Sequence, residues 1–411
     1  MNYTRETVSG LAWISALRGL VRSSAIVKTV ILARLLTPVQ FGLFGIASLV
    51  LALLEIVTET GINVFLIQEQ ADLKEYIDTA WLTSILRGIL IGLVLVAGAL
   101  PIAHFFASPD SGPLVLLIAS VPFIRGFINP SIISFQKDLH FNREFALRGT
   151  LAAVETLTAV AVGWATHSAI AIVWAMIASA ICETVFSWVL VAPRPRLTWN
   201  PAQLNAILSR GKWVTAAGLF SYLFQEGDDI VVGKLLNTTS LGLYQTVYKI
   251  AILPITEIAD VFGKVTFPVY SRIAGDPLRL RRAFVKITLG ISLLTLPLSA
   301  LIFFFPQQII NLVLGPQWLS AAPALRILAI FGGLRAISGS PTSLFMAVKK
   351  QKFVTAVTFV SVLGMGAAII PFVVRFGLVG AAYAVLIGSV AALPVIGFCL
   401  SRVLSPHHAS R

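Results

Sequence analysis

The sequence predicts an all-α polytopic membrane protein, with about twelve transmembrane helices in two pseudo-symmetric six-helix lobes around a central cavity. Three observations carry this expectation. The mean hydropathy is +0.88, and only 12% of residues are charged, about half the share found in soluble domains. A short block recurs far downstream. Basic residues concentrate in alternate connections between the apolar runs.

The apolar runs come first, because they fix the element count. A helix needs about 20 apolar residues to cross a hydrocarbon layer of roughly 30 Å. Such runs place spans near 10–33, 40–63, 79–103, 113–134, 145–166, 168–191, 212–233, 241–268, 284–305, 321–347, 353–374 and 378–401. Lipid cannot satisfy free backbone groups, so these segments should be helices. The alternating pattern of a membrane β-barrel is absent. Arg18, Arg22 and Lys28 interrupt the first stretch. A signal-peptide core would not carry them, so this stretch is expected to be a retained first span.

Ala33-Arg34-Leu35-Leu36-Thr37 leads to Phe41-Gly42-Leu43-Phe44, and Gly233-Lys234-Leu235-Leu236-Asn237 leads to Leu241-Gly242-Leu243-Tyr244, without a gap. A looser match pairs Pro113–Arg125 with Pro323–Arg335, in the same order along the chain. It places an arginine midway along the fourth span and another midway along the tenth. Both spans are expected to continue through a proline, Pro130 or Pro341. Six spans separate the copies, so the lobes should be parallel repeats, an organisation common among transporters. We place an N-terminal lobe at 1–192, a cytoplasmic linker at 193–211, a C-terminal lobe at 212–402 and a cytoplasmic tail at 403–411.

The isoelectric point near 10.1 invites a nucleic-acid reading. The distribution of charge excludes it. Even-numbered connections hold groups such as Arg194, Arg196 and Arg210, then Arg272 to Lys286, then Lys349, Lys350 and Lys352. The odd-numbered ones hold only Arg34, Lys234 and Arg375. This bias is the positive-inside rule and puts both termini in the cytoplasm. The stretch 272–286 could also meet anionic lipid heads. Arg34 and Lys234, at the outer ends of equivalent helices, either snorkel to head groups or form an outer gate for a passing phosphate.

Charges inside the spans are the candidate site. Arg18, Arg22, Lys28, Arg87, Arg125, Lys249, Lys264, Arg326 and Arg335 fall there. Each would cost roughly 2.5–3.5 kcal/mol facing mid-membrane lipid. They should therefore pair with acids or line a hydrated cavity. Ser15, Arg18, Arg22 and Thr29 share one helical face, and Ser48, Glu55 and Glu59 form a second polar stripe. Glu55 and Glu59 would neutralise Arg18 or Arg22, and Asp260 is spaced to pair with Lys264. Arg125 and Arg335 have no acid nearby in their own helices. A guanidinium without an acid suits phosphate, which it engages in bidentate fashion. Arg125 and Arg335 are thus the first candidates for anionic substrate, with Arg18, Arg22 and Lys249 next. Glu155, Glu183, Glu226, Asp228 and Asp229 either bridge to other helices or carry a coupling cation. Glu55, Glu59 and Asp229 are the candidate coupling or cavity acids.

Catalysis and cofactors find no support. Cys182 and Cys399 lie in separate spans, and the histidines lack metal-ligand spacing. No nucleophile–base set or phosphate-cradling glycine loop occurs. The longest odd-numbered connection, Pro306 to Ser320, holds no acid, lysine, arginine or histidine. No cofactor, metal or enzymatic activity is expected, which disfavours a membrane-embedded polysaccharide polymerase or ligase.

Ala33-Arg34-Leu35-Leu36-Thr37-Pro38 with Phe41-Gly42-Leu43 resembles the signature of the polysaccharide-transport (O-antigen/exopolysaccharide) flippases of the multidrug/oligosaccharidyl-lipid/polysaccharide superfamily. Glu59-Thr60-Gly61, Asp229 through Leu236, Leu280-Arg281-Arg282-Ala283 and Leu314-Gly315-Pro316-Gln317-Trp318 are similar as well. The resemblance covers residues from about 10 to 400. It implies two lobes around a cationic cavity in the bacterial cytoplasmic (inner) membrane. It also implies transfer of undecaprenyl-pyrophosphate-linked oligosaccharide to the periplasmic leaflet by alternating access. Its partners would be that lipid-linked substrate, membrane lipids, and polysaccharide polymerase and export proteins. A cation-coupled multidrug antiporter of the same superfamily is the alternative, although its site should hold unpaired acids rather than central arginines.

Overall fold

The computed structural model describes residues 3–59, 73–138, 140–198, 200, 218–223 and 225–404. Among them every regular element is helical. The chain forms two compact units, Met1–Gly227 and Asp228–Arg411.

The first unit holds α1 (Tyr3–Leu35), α2 (Pro38–Val57), α3 (Leu73–Phe105), the short α4 (Ser111–Ile118), α5 (Ser120–Gly126) and α6 (Ser134–Lys137), then α7 (Phe141–Thr166) and α8 (Ile170–Leu190). Residues 218–223 are helical, and residues 225–235 form α9, within which the division falls. The second unit continues with α10 (Thr238–Ile273), α11 (Pro277–Phe304), α12 (Pro306–Val313), α13 (Ala322–Ala347) and α14 (Gln351–Leu404). Seven described helices are long and apolar enough to cross a membrane, or eight if one broken pair counts as a span. The chain is a multi-pass membrane protein.

The repeated block performs the same local task twice. Thr37 and Asn237 both end one helix and N-cap the next. The Gln40 amide donates to Thr37 Oγ1 at 3.5 Å, and the Ser240 amide to Asn237 Oδ1 at 2.8 Å. Side chains of this kind supply the acceptor that the first helical turn lacks. The following Gly42 and Gly242 are both buried.

The second repeat diverges. Asn129 is extended and caps a 3₁₀ turn, Pro130–Ile133, by accepting from the Ser131 amide at 3.0 Å. Residue 129 precedes proline, which disfavours helical geometry. The span expected at 113–134 is therefore broken, with its two parts bent by 75°. In α13, by contrast, the helix runs on through Pro341. The expectation of a continuous fourth span fails for this local reason.

Each unit has its own apolar core. Ala47 of α2, Leu95 of α3, Ile118 of α4 and Val173 of α8 pack together in the first. Ile255 of α10, Ile291 of α11 and Ala336 of α13 pack together in the second. The outward face is also apolar, with Leu93, Leu100 and Leu293 strongly exposed, as a lipid-facing surface requires.

α14 contains two helices that meet at Gly377, whose φ of 57° lies in the left-handed region. The chain doubles back so closely that a Cβ at Gly380 would lie 1.9 Å from the Phe372 carbonyl oxygen. Phe372, Phe376 and Tyr383 close the turn with ring centroids 5.7–6.5 Å apart. Gly380→Ala should lower stability by roughly 1–3 kcal/mol through overpacking. A reduced thermal midpoint of the detergent-solubilised protein would register it, and an unchanged midpoint would refute the tight turn.

Candidate functional site

In the first unit, helix packing brings two arginines to the polar stripe of α2. α3 and α5 approach backbone to backbone, because a Cβ at Gly88 would lie 2.4 Å from the Pro122 carbonyl oxygen. A Cβ at Gly126 would lie 3.0 Å from that of Ser84. Each glycine follows an arginine, Arg87 or Arg125. The close approach therefore brings both cationic side chains to α2.

Their environments differ. Arg87 Nη2 donates to the Glu55 carbonyl oxygen at 2.6 Å and to Glu59 Oε2 at 3.4 Å, while Nε donates to Thr58 Oγ1 at 3.1 Å. Arg125 Nη1 stands 3.6 Å from Glu55 Oε1, close enough for an ion pair but beyond a good hydrogen bond. Its Nε is buried and has no acceptor among the described residues. The Arg125 and Glu55 side chains are still 40% and 36% exposed. Arg125 sits in the last turn of α5, just before the break in the span, where the helix dipole favours a cation.

The pairing expected for α2 is thus corrected: the ion pairs described for Glu55 and Glu59 run to Arg125 and Arg87. On α1, Arg18 and Arg22 are exposed. Lys28 pairs with Glu155 of α7, and Arg148 of α7 pairs with Glu183 of α8 at 2.9 Å. Bridging to other helices, one of the two fates open to such acids, is the one Glu155 and Glu183 take.

In the second unit, Arg335 meets neutral partners. Its Nη1 donates to the Tyr248 hydroxyl oxygen at 3.0 Å, and its guanidinium carbon stands 5.7 Å from the Phe331 ring centre. No described carboxylate lies within ion-pair distance of it. Tyr248 stacks at 5.8 Å on Tyr244, whose hydroxyl donates to buried Asp228 Oδ2 at 2.7 Å. Gln245 Nε2 donates to Asp229 Oδ2 at 2.9 Å. α13 can lie this close to α10 because a Cβ at Gly332 would reach 3.1 Å from the Ala251 carbonyl oxygen. Aromatic stacking and a phenol therefore orient Arg335 without neutralising it.

The remaining candidates scatter. Lys249 is exposed on α10, and Arg34 and Lys234 are exposed near the ends of α1 and α9. Arg326 lies in the first turns of α13, donates from Nε to the Phe303 carbonyl oxygen at 3.2 Å and stacks on that ring, so it belongs to a helix end rather than mid-span. The side chains of Asp260 and Lys264 lie outside the described residues. Tyr244, Gln245 and Tyr248 were missed by sequence reasoning, which followed charge alone. Their signal was the i, i+4 spacing of two tyrosines on a helix that follows the adjacent acids Asp228 and Asp229. Gly88 and Gly126 were missed too, although each directly follows a span arginine.

Comparison with known proteins agrees with this architecture. The chain is 25% identical over 351 residues to the lipopolysaccharide biosynthesis protein WzxC of Escherichia coli (strain K12), covering 84% of this chain and 71% of the relative. It is 26% identical over 353 residues to the teichuronic acid biosynthesis protein TuaB of Bacillus subtilis (strain 168), covering 84% and 72%. Its fold matches the solved lipid II flippase MurJ in an inward closed conformation with a TM-score of 0.76, at 16% identity, over 94% of this chain and 87% of that one. Residues 31–323 match the family model described as polysaccharide biosynthesis protein, and the chain belongs to that family.

Proposed function

We propose that the chain is a flippase that carries undecaprenyl-pyrophosphate-linked oligosaccharide from the cytoplasmic to the periplasmic leaflet, serving synthesis of surface or exported polysaccharide. Family membership supports the substrate class. The single structural observation that carries the reading is Arg335, a membrane-embedded guanidinium held by a phenol and a ring instead of an acid. Such a group retains its full charge for an incoming phosphate. Arg125, held by one long contact to Glu55, is the corresponding group of the first unit. Arg18, Arg22 and Lys249 form the secondary cationic set, and Arg34 and Lys234 the outer gate.

The glycan is too polar to cross hydrocarbon unaided, whereas the polyprenyl chain is at home there. The protein therefore needs to shelter only the pyrophosphate and sugars, in alternating access from the two sides. Asp229, buried and bonded to the neutral Gln245 amide, is the candidate to carry a coupling cation. We place both termini in the cytoplasm, in a bacterial inner membrane, with polysaccharide polymerase and export proteins as partners. The basic stretches at 272–286 and 349–352 support that orientation. The lobes at 1–192 and 212–402 follow from the repeat, with the linker 193–211 between them.

Reconstitution with labelled lipid-linked oligosaccharide tests the function directly: leaflet transfer is expected, and none would refute it. Losing a charge-assisted contact worth about 1.5–3 kcal/mol should slow transfer roughly 10- to 150-fold in Arg125→Ala and in Arg335→Ala, with protein levels unchanged. Full export of polysaccharide by both variants would remove these arginines from the substrate path. A cysteine placed at Arg281 should react with an impermeant thiol reagent only from the cytoplasmic side, and labelling from outside would invert the topology.

A further inference from the structure

We infer that the Glu55 carboxylate is a built-in stand-in for the substrate's phosphate, occupying Arg125 in the empty transporter and giving way when a pyrophosphate head group arrives. The inference rests on the flippase reading above and assigns to Glu55 a role in substrate selection.

The contrast between two Arg–Glu pairs at one end of α2 carries it. Glu55 lies in the last turn of α2 and Glu59 two residues beyond its end, so both acids stand at the same end of that helix. Arg87 is fixed by three acceptors, two of them within 3.1 Å. Arg125 has one carboxylate oxygen at 3.6 Å, and among the described residues nothing accepts from its buried Nε. A buried donor left without an acceptor is unfavourable, so something that offers two oxygens to the Nε and Nη edge together would bind better than Glu55 does. A phosphate does this. The Glu55 carboxylate, tethered at its present distance, does not.

The same arrangement leaves Glu55 free to move. Arg87 grips the backbone carbonyl of Glu55, not its carboxylate, so the main chain is held while the side chain swings. That side chain is partly exposed already, so release need not strand a charge in a dry interior. Arg125 is equally constrained at its backbone by the Gly126–Ser84 approach, which keeps its main chain beside α3 during the exchange.

Two consequences follow. The empty protein never holds an uncompensated Arg125 within the membrane. An entering anion must also outcompete a carboxylate, a cost that weakens every anion by the same factor. Glu55 thereby sets a threshold that a tightly bound pyrophosphate passes and that keeps the weakly held phosphodiester of bulk phospholipid mostly off the site.

The test uses the full-length protein in nanodiscs, with undecaprenyl pyrophosphate and phosphatidylglycerol as probes and bound lipid measured at equilibrium. Glu55→Gln should bind undecaprenyl pyrophosphate about two- to fivefold tighter, the range for releasing one exposed ion pair. It should tighten phosphatidylglycerol by a similar factor, so that bulk lipid occupies the site more. Arg125→Ala should bind weakly, and adding Glu55→Gln to it should change nothing further. Glu183→Gln, which removes the acid paired with Arg148 elsewhere in the unit, should leave both affinities as they are. If Glu55→Gln lowers the thermal midpoint, Glu55→Asp replaces it: the shorter acid withdraws from Arg125 and should tighten binding likewise. Unchanged or weaker binding in a stably folded Glu55 variant overturns the stand-in role while leaving the flippase reading intact. Wild-type protein that neither binds undecaprenyl pyrophosphate nor transfers lipid-linked oligosaccharide overturns both.

Discussion

A charge inside a hydrocarbon layer must be answered by another group on the protein or by water, and every feature of the polar interior follows from that requirement. The protein answers it in graded ways. Lys28 meets an acid on a neighbouring helix, and Arg87 is saturated by a carbonyl, a hydroxyl and a carboxylate. Arg326 reaches a carbonyl and a ring at a helix end. Among the described residues, Arg335 receives only a phenol and a ring, and Arg125 one distant carboxylate. The two least satisfied are the ones with most to gain from an anionic ligand.

Duplication reproduced local structure more faithfully than it reproduced sites. The Thr37 and Asn237 caps solve one short-range problem, the unsatisfied first turn of a helix, and they solve it alike. The equivalent arginines Arg125 and Arg335 do not share a solution. In the first unit Asn129 and Pro130 break the span just beyond the arginine, whereas in the second the helix continues. Helix α2 then offers an acid to Arg125, whereas α10 offers Arg335 the Tyr248 hydroxyl, beside the Phe331 ring of α13 itself. The two units hold their guanidinium groups in different chemical surroundings.

Small residues determine where these charges lie. Gly88 with Gly126, and Gly332 with its neighbours on α10, remove the side chains that would hold helices apart. Packing between membrane helices relies on such close backbone approach, since lipid supplies no hydrophobic drive to press them together. The glycines and the arginines beside them form one device: the first sets the distance and the second uses it.

Composition, hydropathy period and repeated caps, read from the sequence alone, determined that this is a helical membrane protein with an internal duplication and cations within its spans. All of these are local properties, legible over a few turns of chain. Partner choice was not. Nothing in the spacing of Glu55 or Glu59 distinguishes α1 from α3 or α5 as the source of a counter-charge. Only the tertiary structure joined Glu55 to Arg125, Glu59 to Arg87 and Arg335 to Tyr248. The reason is range: an ion pair or hydrogen bond is made across a few ångströms of space, and helix packing decides which residues, far apart in sequence, come within that reach.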